Sequence, residues 1–243
     1  MTQRQGEYEK MSFRYYYADR VREMMPGYKG TDEDLQEAID NVSLLYKSAI
    51  RELETKIKVL SDDFDKKYSY RPIHHVQSRL KTFQSIMEKS IRYGIEDPIN
   101  NLDEVRREIL DIAGVRVVCN YEEDLHTMSS LLLEQEDIEL IRMKDYCSHP
   151  KESGYRSLHM VVALPVYLVK GKRMVPVEVQ FRSIAMDAWA SLEHELRYKN
   201  REAVTDDIVR TLKECAETLH YVDERMSRVR HEVLKDESKY SNF

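Results

Sequence analysis

Between Met174 and Arg182 the chain reads MVPVEVQFR, and the alternation in this stretch constrains the fold more than any other feature. Successive side chains on a strand leave opposite faces, so Val175, Val177, Val179 and Phe181 point one way and Glu178, Gln180 and Arg182 the other. One face therefore belongs to a core. The other sets a carboxylate, an amide and a guanidinium side by side in mid-sheet, where an acid is costly unless it is paired or holds a metal.

The same period predicts further strands at GVRVVCN (114–120), DIELIRM (137–143) and SLHMVVAL (157–164), with a helix from Glu122 to Leu133 between the first two. HHVQSRLK (74–81) reads as a half-buried strand with Val76, Ser78 and Leu80 inward, followed by a helix to Arg92. From Asp32 to about Ser61, Leu35, Ile39, Val42, Tyr46, Ile50, Leu53 and Ile57 recur at helical spacing and predict a long amphipathic helix. Near the other end Leu212, Cys215, Leu219, Val222, Met226, Val229 and Val233 form a 3-4 seam that fits either the chain's own core or a second subunit. The fold class is α+β with a mixed or antiparallel sheet. Residues 1–31 form an extension read as a short helix and a loop, 32–237 the main domain with its terminal helices, and 238–243 a tail. Trp189, among Ala188, Ala190 and Leu192, is expected to anchor its helix against the sheet.

A formal net charge of −6 argues against a basic coat over the whole surface, so RNA is a possible but disfavoured partner, and any anion site has to be local. Such a site exists. Residues 66–92 carry Lys66, Lys67, Arg71, Arg79, Lys81, Lys89 and Arg92 against Glu88 alone. Lys81, Ser85, Lys89 and Arg92 fall at helical spacing on one face, with Phe83, Met87 and Ile91 on another. The three cysteines are Cys119, Cys147 and Cys215; odd in number and without a CxxC pair, they point to a reducing, cytoplasmic compartment. Cys147 and His149 alone are too few ligands for zinc. No leader and no apolar run of membrane-spanning length is evident, so no membrane role is expected.

Asp111, in DIAGVRVVCN, precedes one strand and Glu178 lies within another. Two carboxylates from neighbouring strands are able to hold one Mg²⁺, which leaves the rest of its octahedron to water and phosphate oxygens. The alternative for Glu178 is a buried ion pair with Arg116. The segment HPKESGYRSLH (149–159) is rich in donors, and around Gly154 it offers the ring of Tyr155 with Lys151, Arg156 and His159, a set that suits a nucleotide.

SRLKTFQSIMEKSIR (78–92), DIAGVRVVC (111–119), KESGYRSLH (151–159) and VPVEVQFRSIAMDAWASLEHELRYK (175–199) resemble, in order and spacing, the (p)ppGpp synthetase domain of RelA/SpoT homologues. The chain is most similar to the short, single-domain small alarmone synthetases of RelP or RelQ type. This resemblance implies a nucleotidyltransferase-like mixed sheet of about five strands flanked by helices, a homotetramer, and Mg²⁺-dependent transfer of pyrophosphate from ATP to the 3'-hydroxyl of GDP or GTP. Carried over by position, Asp111 and Glu178 bind Mg²⁺, and Glu178 is also the candidate base. Arg79 and Arg116 sandwich adenine, while Lys81, Ser85, Lys89 and Arg92 hold the triphosphate. Tyr155 stacks on guanine, with Lys151, His159, Gln180 and Glu193 around the acceptor. A nucleotide- or RNA-binding regulator with lost or secondary catalysis is the second class; the presence of both Asp111 and Glu178 argues against it.

Overall fold

The computed structural model describes residues 29–199 and 205–240, so the expected helix and loop before residue 29 lie outside the described residues. In chain order the elements are α1 (Asp32–Tyr68), β1 (Ile73–Leu80), α2 (Phe83–Arg92), α3 (Leu102–Glu108), β2 (Ala113–Cys119) and α4 (Glu122–Leu133). There follow β3 (Glu139–Asp145), β4 (Leu158–Leu168), β5 (Gly171–Ser183), α5 (Ile184–Lys199) and α6 (Asp206–Tyr240).

Five strands form one sheet in the order β1-β2-β5-β4-β3, in which β2 and β5 run parallel and the other neighbours antiparallel. The alternation of β5 does what it requires: Val175, Val177, Val179 and Phe181 are all buried. They join Val115, Val117, Met160 and Val162 on the face covered by α1 and α4, whose Leu35, Leu53, Leu125 and Leu132 complete the core. The opposite face carries polar side chains at matching register. Arg79 pairs with Gly114, Gly114 with Glu178, Arg116 with Gln180, and Gln180 with His159.

The long first helix starts on a capping box in which Asp34 N–H donates to Thr31 Oγ1 and Thr31 N–H to Asp34 Oδ2. It runs on past Ser61 to Tyr68 and stops where Ser69 turns left-handed. α6 is fastened to α4 through Arg230, which donates to Glu123 and Asp124 while its guanidinium lies 3.9 Å from the Tyr70 ring centroid and 4.8 Å from that of Tyr121.

Three expectations need correction. β1 is an edge strand and is exposed at nearly every position, Val76 included. Ile91 is exposed; α2 packs through Phe83, Ile86, Met87 and Ser90, a stripe rotated from the one expected. Trp189 does not anchor α5 on the sheet. It packs with Ala190, Ala216, Leu212 and Leu219 and donates Nε1–H to Leu212 O at 2.8 Å, which ties α5 to α6.

Candidate active site

The polar sheet face opens into a cleft bordered by Gln77, Arg79, Gly114, Arg116, Glu178 and Gln180. Gly114 permits its shape: a Cβ there would stand 3.3 Å from Arg79 Nε and 3.4 Å from its Cγ, so the Arg79 side chain lies flat across bare backbone. Arg79 and Arg116 flank this bare stretch from neighbouring strands.

At the end of β1 the chain turns into α2, whose N-terminus is capped by Thr82 Oγ1 accepting from Ser85 N–H. Lys81 sits at the strand end and not on the helix, yet its Nζ and that of Lys89 both reach Asp111 Oδ2 at 2.8 Å. Burial alone would raise the Asp111 carboxyl, but the hydrogen bonds and charges of the two lysines outweigh it and hold it below its ordinary range. Asp111 Oδ1 is buried and has no hydrogen-bond partner. Arg92 stands exposed at the end of the same helix. Two lysines, a serine and a helix N-terminus thus stand together, a set whose charges and N–H groups suit an anion.

Glu178 accepts from Gln180 Nε2 at 2.9 Å and faces Arg79 Nη2 at 3.8 Å. It does not pair with Arg116, which binds Asp187 at 3.2 Å. Asp187 also accepts from the buried Arg182 at 2.9 Å. Arg182 in turn donates to Gln180 Oε1 and to the Tyr155 hydroxyl, so one chain of bonds links the β5 side chains to the 149–159 segment.

That segment is folded against the sheet end. Tyr155 Oη and His159 Nε2 are 2.7 Å apart, and His159 Nδ1 faces Glu178 Oε1 at 3.9 Å. The Tyr155 hydroxyl thus accepts from Arg182 and shares a second hydrogen bond with His159 Nε2. Burial, and then the charges of Arg182, Lys151 and Lys144, push the His159 imidazole down to about 4. Lys151 Nζ lies 4.8 Å from the Tyr146 ring centroid and 5.0 Å from that of Tyr155. Glu193 is half-buried on α5, beyond Trp189.

The structure therefore gathers Arg79, Arg116, Glu178 and Gln180 in one cleft, Lys81, Ser85, Lys89 and Asp111 beside α2, and Lys151, Tyr155 and His159 at the sheet end. Two participants lacked a distinct signal in the sequence. Tyr146 looks like any loop tyrosine until it meets Lys151, and Gln77 like any strand glutamine until register sets it opposite Arg116. Arg182 was visible as a neighbour of Gln180, but its link to Asp187 and Tyr155 needs the folded turn into α5.

Residues 78–203, more than half of the chain, match the family described as a region found in RelA / SpoT proteins. The chain belongs to that family. It is 40% identical over 193 residues to the GTP pyrophosphokinase YwaC of Bacillus subtilis, covering 79% of this chain and 90% of that one. To the GTP pyrophosphokinase YjbM of the same organism it is 34% identical, over 81% of this chain and 90% of the relative. Among solved structures it resembles small alarmone synthetase 2 of B. subtilis, with a TM-score of 0.71, 39% identity and coverage of 79% of this chain and 98% of the other. Small alarmone synthetase 1 of B. subtilis bound to its product pppGpp gives a TM-score of 0.70 and 35% identity over 78% of this chain and 94% of that one. The α+β architecture with its five-stranded mixed sheet is the one these synthetases share.

Proposed function

We propose that this member of the RelA/SpoT family is a (p)ppGpp synthetase: it transfers pyrophosphate from ATP to the 3'-hydroxyl of GDP or GTP and releases AMP. The observation that carries the reading is the cleft in which Arg79, Arg116 and Glu178 meet, next to the Lys81–Asp111–Lys89 cluster. In this reaction the 3'-oxygen bonds to the β-phosphorus, the bond from that phosphorus to the bridging oxygen of AMP breaks, and the hydroxyl proton leaves. Positioning and electrostatics supply nearly all of the rate for such a transfer.

The roles are those the family resemblance implies, and the chemistry of the residues present suits them. Arg79 and Arg116 clasp adenine across Gly114. Lys81, Ser85, Lys89 and Arg92 take the triphosphate; Lys81 and Lys89 exchange their bonds to Asp111 for bonds to phosphate oxygens, so the cations are already desolvated and oriented. Glu178 accepts the 3'-hydroxyl proton. Tyr155 stacks on guanine while Lys151, His159, Gln180 and Glu193 border the acceptor. Asp111 and Glu178 fit Mg²⁺, since Asp111 keeps a buried, unpartnered Oδ1 and the pair leaves most of an octahedron open. When bound, that ion neutralises charge on the phosphate oxygens.

We further propose a cytoplasmic homo-oligomer, a tetramer in the family pattern. Leu212 and Leu219 of the α6 seam pack on Trp189, while Val222, Met226, Val229 and Val233 stay about half exposed and are available to another copy. Among the described residues no helix is long and apolar enough to cross a membrane. The test of the activity is incubation of the folded protein with ATP, GDP or GTP, and Mg²⁺. AMP together with a 3'-pyrophosphorylated guanosine nucleotide is expected, and the absence of both overturns the reading.

A further inference from the structure

A second group of donors, sharing no residue with the cleft, gathers where α4, the turn after β3 and α6 meet. Glu122 opens α4 and His126 follows one turn later, so both side chains leave the same face of the helix. The turn after β3 brings the buried Cys147 thiol to them, and one ligand atom from each of the three lies within 4.8 Å of the others. From α6, His220 Nδ1 stands 3.7 Å from Glu122 Oε2. Nitrogen, sulfur and oxygen ligands of a tetrahedral ion at about 2.0–2.3 Å sit roughly 3.3–3.7 Å apart, so closure by about 1 Å of side-chain rotation suffices.

Independent features of the same place call for a cation. His220 Nδ1 is buried with no hydrogen-bond partner. Asp223, one turn further along α6, is 6% exposed, and its Oδ2 also lacks a partner. Buried polar atoms without partners gain from a ligand that supplies the missing bonds.

We propose that Glu122, His126 and Cys147, closed by His220, form a binding site for a divalent transition-metal ion of the zinc class. Thiolate and imidazole select zinc over Mg²⁺, which keeps the site chemically separate from the Asp111 and Glu178 pair. Binding replaces the thiol proton, which is released to solvent, and forms the metal–sulfur bond. Cys147 begins the segment that carries Lys151 and Tyr155, and Arg156 Nη1 donates to Cys147 O at 2.6 Å, so the ion ties the acceptor loop to α4 and α6.

The experiment uses the full chain carrying Cys215→Ser, which removes the exposed thiol. Titration with Co²⁺ alone is expected to give about one ion per chain with thiolate-to-metal charge-transfer and tetrahedral ligand-field bands, displaced by Zn²⁺ and not by Mg²⁺. His126→Ala and Glu122→Gln are each expected to weaken binding by at least about tenfold to a hundredfold, and Cys147→Ser to abolish the charge-transfer band. Asp111→Asn leaves all of this unchanged. Binding without the band, or binding indifferent to both His126→Ala and Glu122→Gln, overturns the site. These two positions are only half buried, so the outcome stands even if Cys147→Ser does not fold.

Discussion

Gly154 lies so close to Ala216 that a Cβ built on it would stand 2.6 Å from the Ala216 Cβ. The backbone there is also left-handed, with φ +86°. The tip of the segment bearing Tyr155 is thus docked directly on α6, and the helix sets where that ring stands. Gly154→Ala is expected to destabilise the protein by about 1–3 kcal/mol and to raise the KM for GDP or GTP about tenfold, with the KM for ATP little changed. Adding Ala216→Gly relieves the clash but not the backbone strain, so recovery is partial. Steady-state kinetics with each substrate varied in turn provide the check.

The corresponding test on the other side of the cleft is Gly114→Ala. The added methyl meets Arg79 near its Nε and forces the guanidinium off the strand by a few tenths of an ångström. The expected result is a several-fold loss of ATP affinity, with acceptor binding retained. An unchanged ATP dissociation constant would remove Arg79 from the adenine contact.

Glu178→Gln keeps the size of the side chain and removes its charge. Turnover is expected to fall by a factor of about 10² to 10⁴ while ATP binding stays measurable by calorimetry. Asp111→Asn differs in kind: it strands Lys81 and Lys89, both buried for most of their surface, and so costs stability as well as activity. A melting scan separates the two variants.

His159 gives a pH signature. Its folded pKa of about 4 lies below the ordinary imidazole value near 6.5, so the unfolded chain binds more protons between those limits. The corresponding stability is fully present above about pH 6.5 and is lost as the pH falls towards 4. His159→Gln is expected to flatten the slope of unfolding free energy across that window. Denaturant titrations at several pH values measure it; an equally steep slope in the variant would place the titrating group elsewhere.

Much of this arrangement can be read from short patterns. The alternation of β5 placed Glu178, Gln180 and Arg182 together because period 2 is local, and α4 was legible to the residue for the same reason. What escaped was set by partners distant in the chain. Val76 alternates like a buried strand residue, but β1 lies at the sheet edge, where coverage depends on which helix crosses it. Glu178 and Arg116 are on adjacent strands, yet Asp187 on α5 takes Arg116 and leaves Glu178 to Arg79 and Gln180. Cys147 looked a poor ligand beside His149; its neighbours are Glu122 and His126, which only the return of β3 brings near.

The single parallel pairing, β2 on β5, has a consequence for how the protein forms. The two strands are separated in the chain by α4, β3 and β4, so joining them closes the longest loop in the sheet, and contacts of that kind come late in folding. Until then Gly114 and Glu178 have no common register, and the two arginines face no acid. An incompletely folded chain offers ATP nothing to grip, so nucleotide raises the melting temperature of the finished molecule by mass action without hastening its assembly.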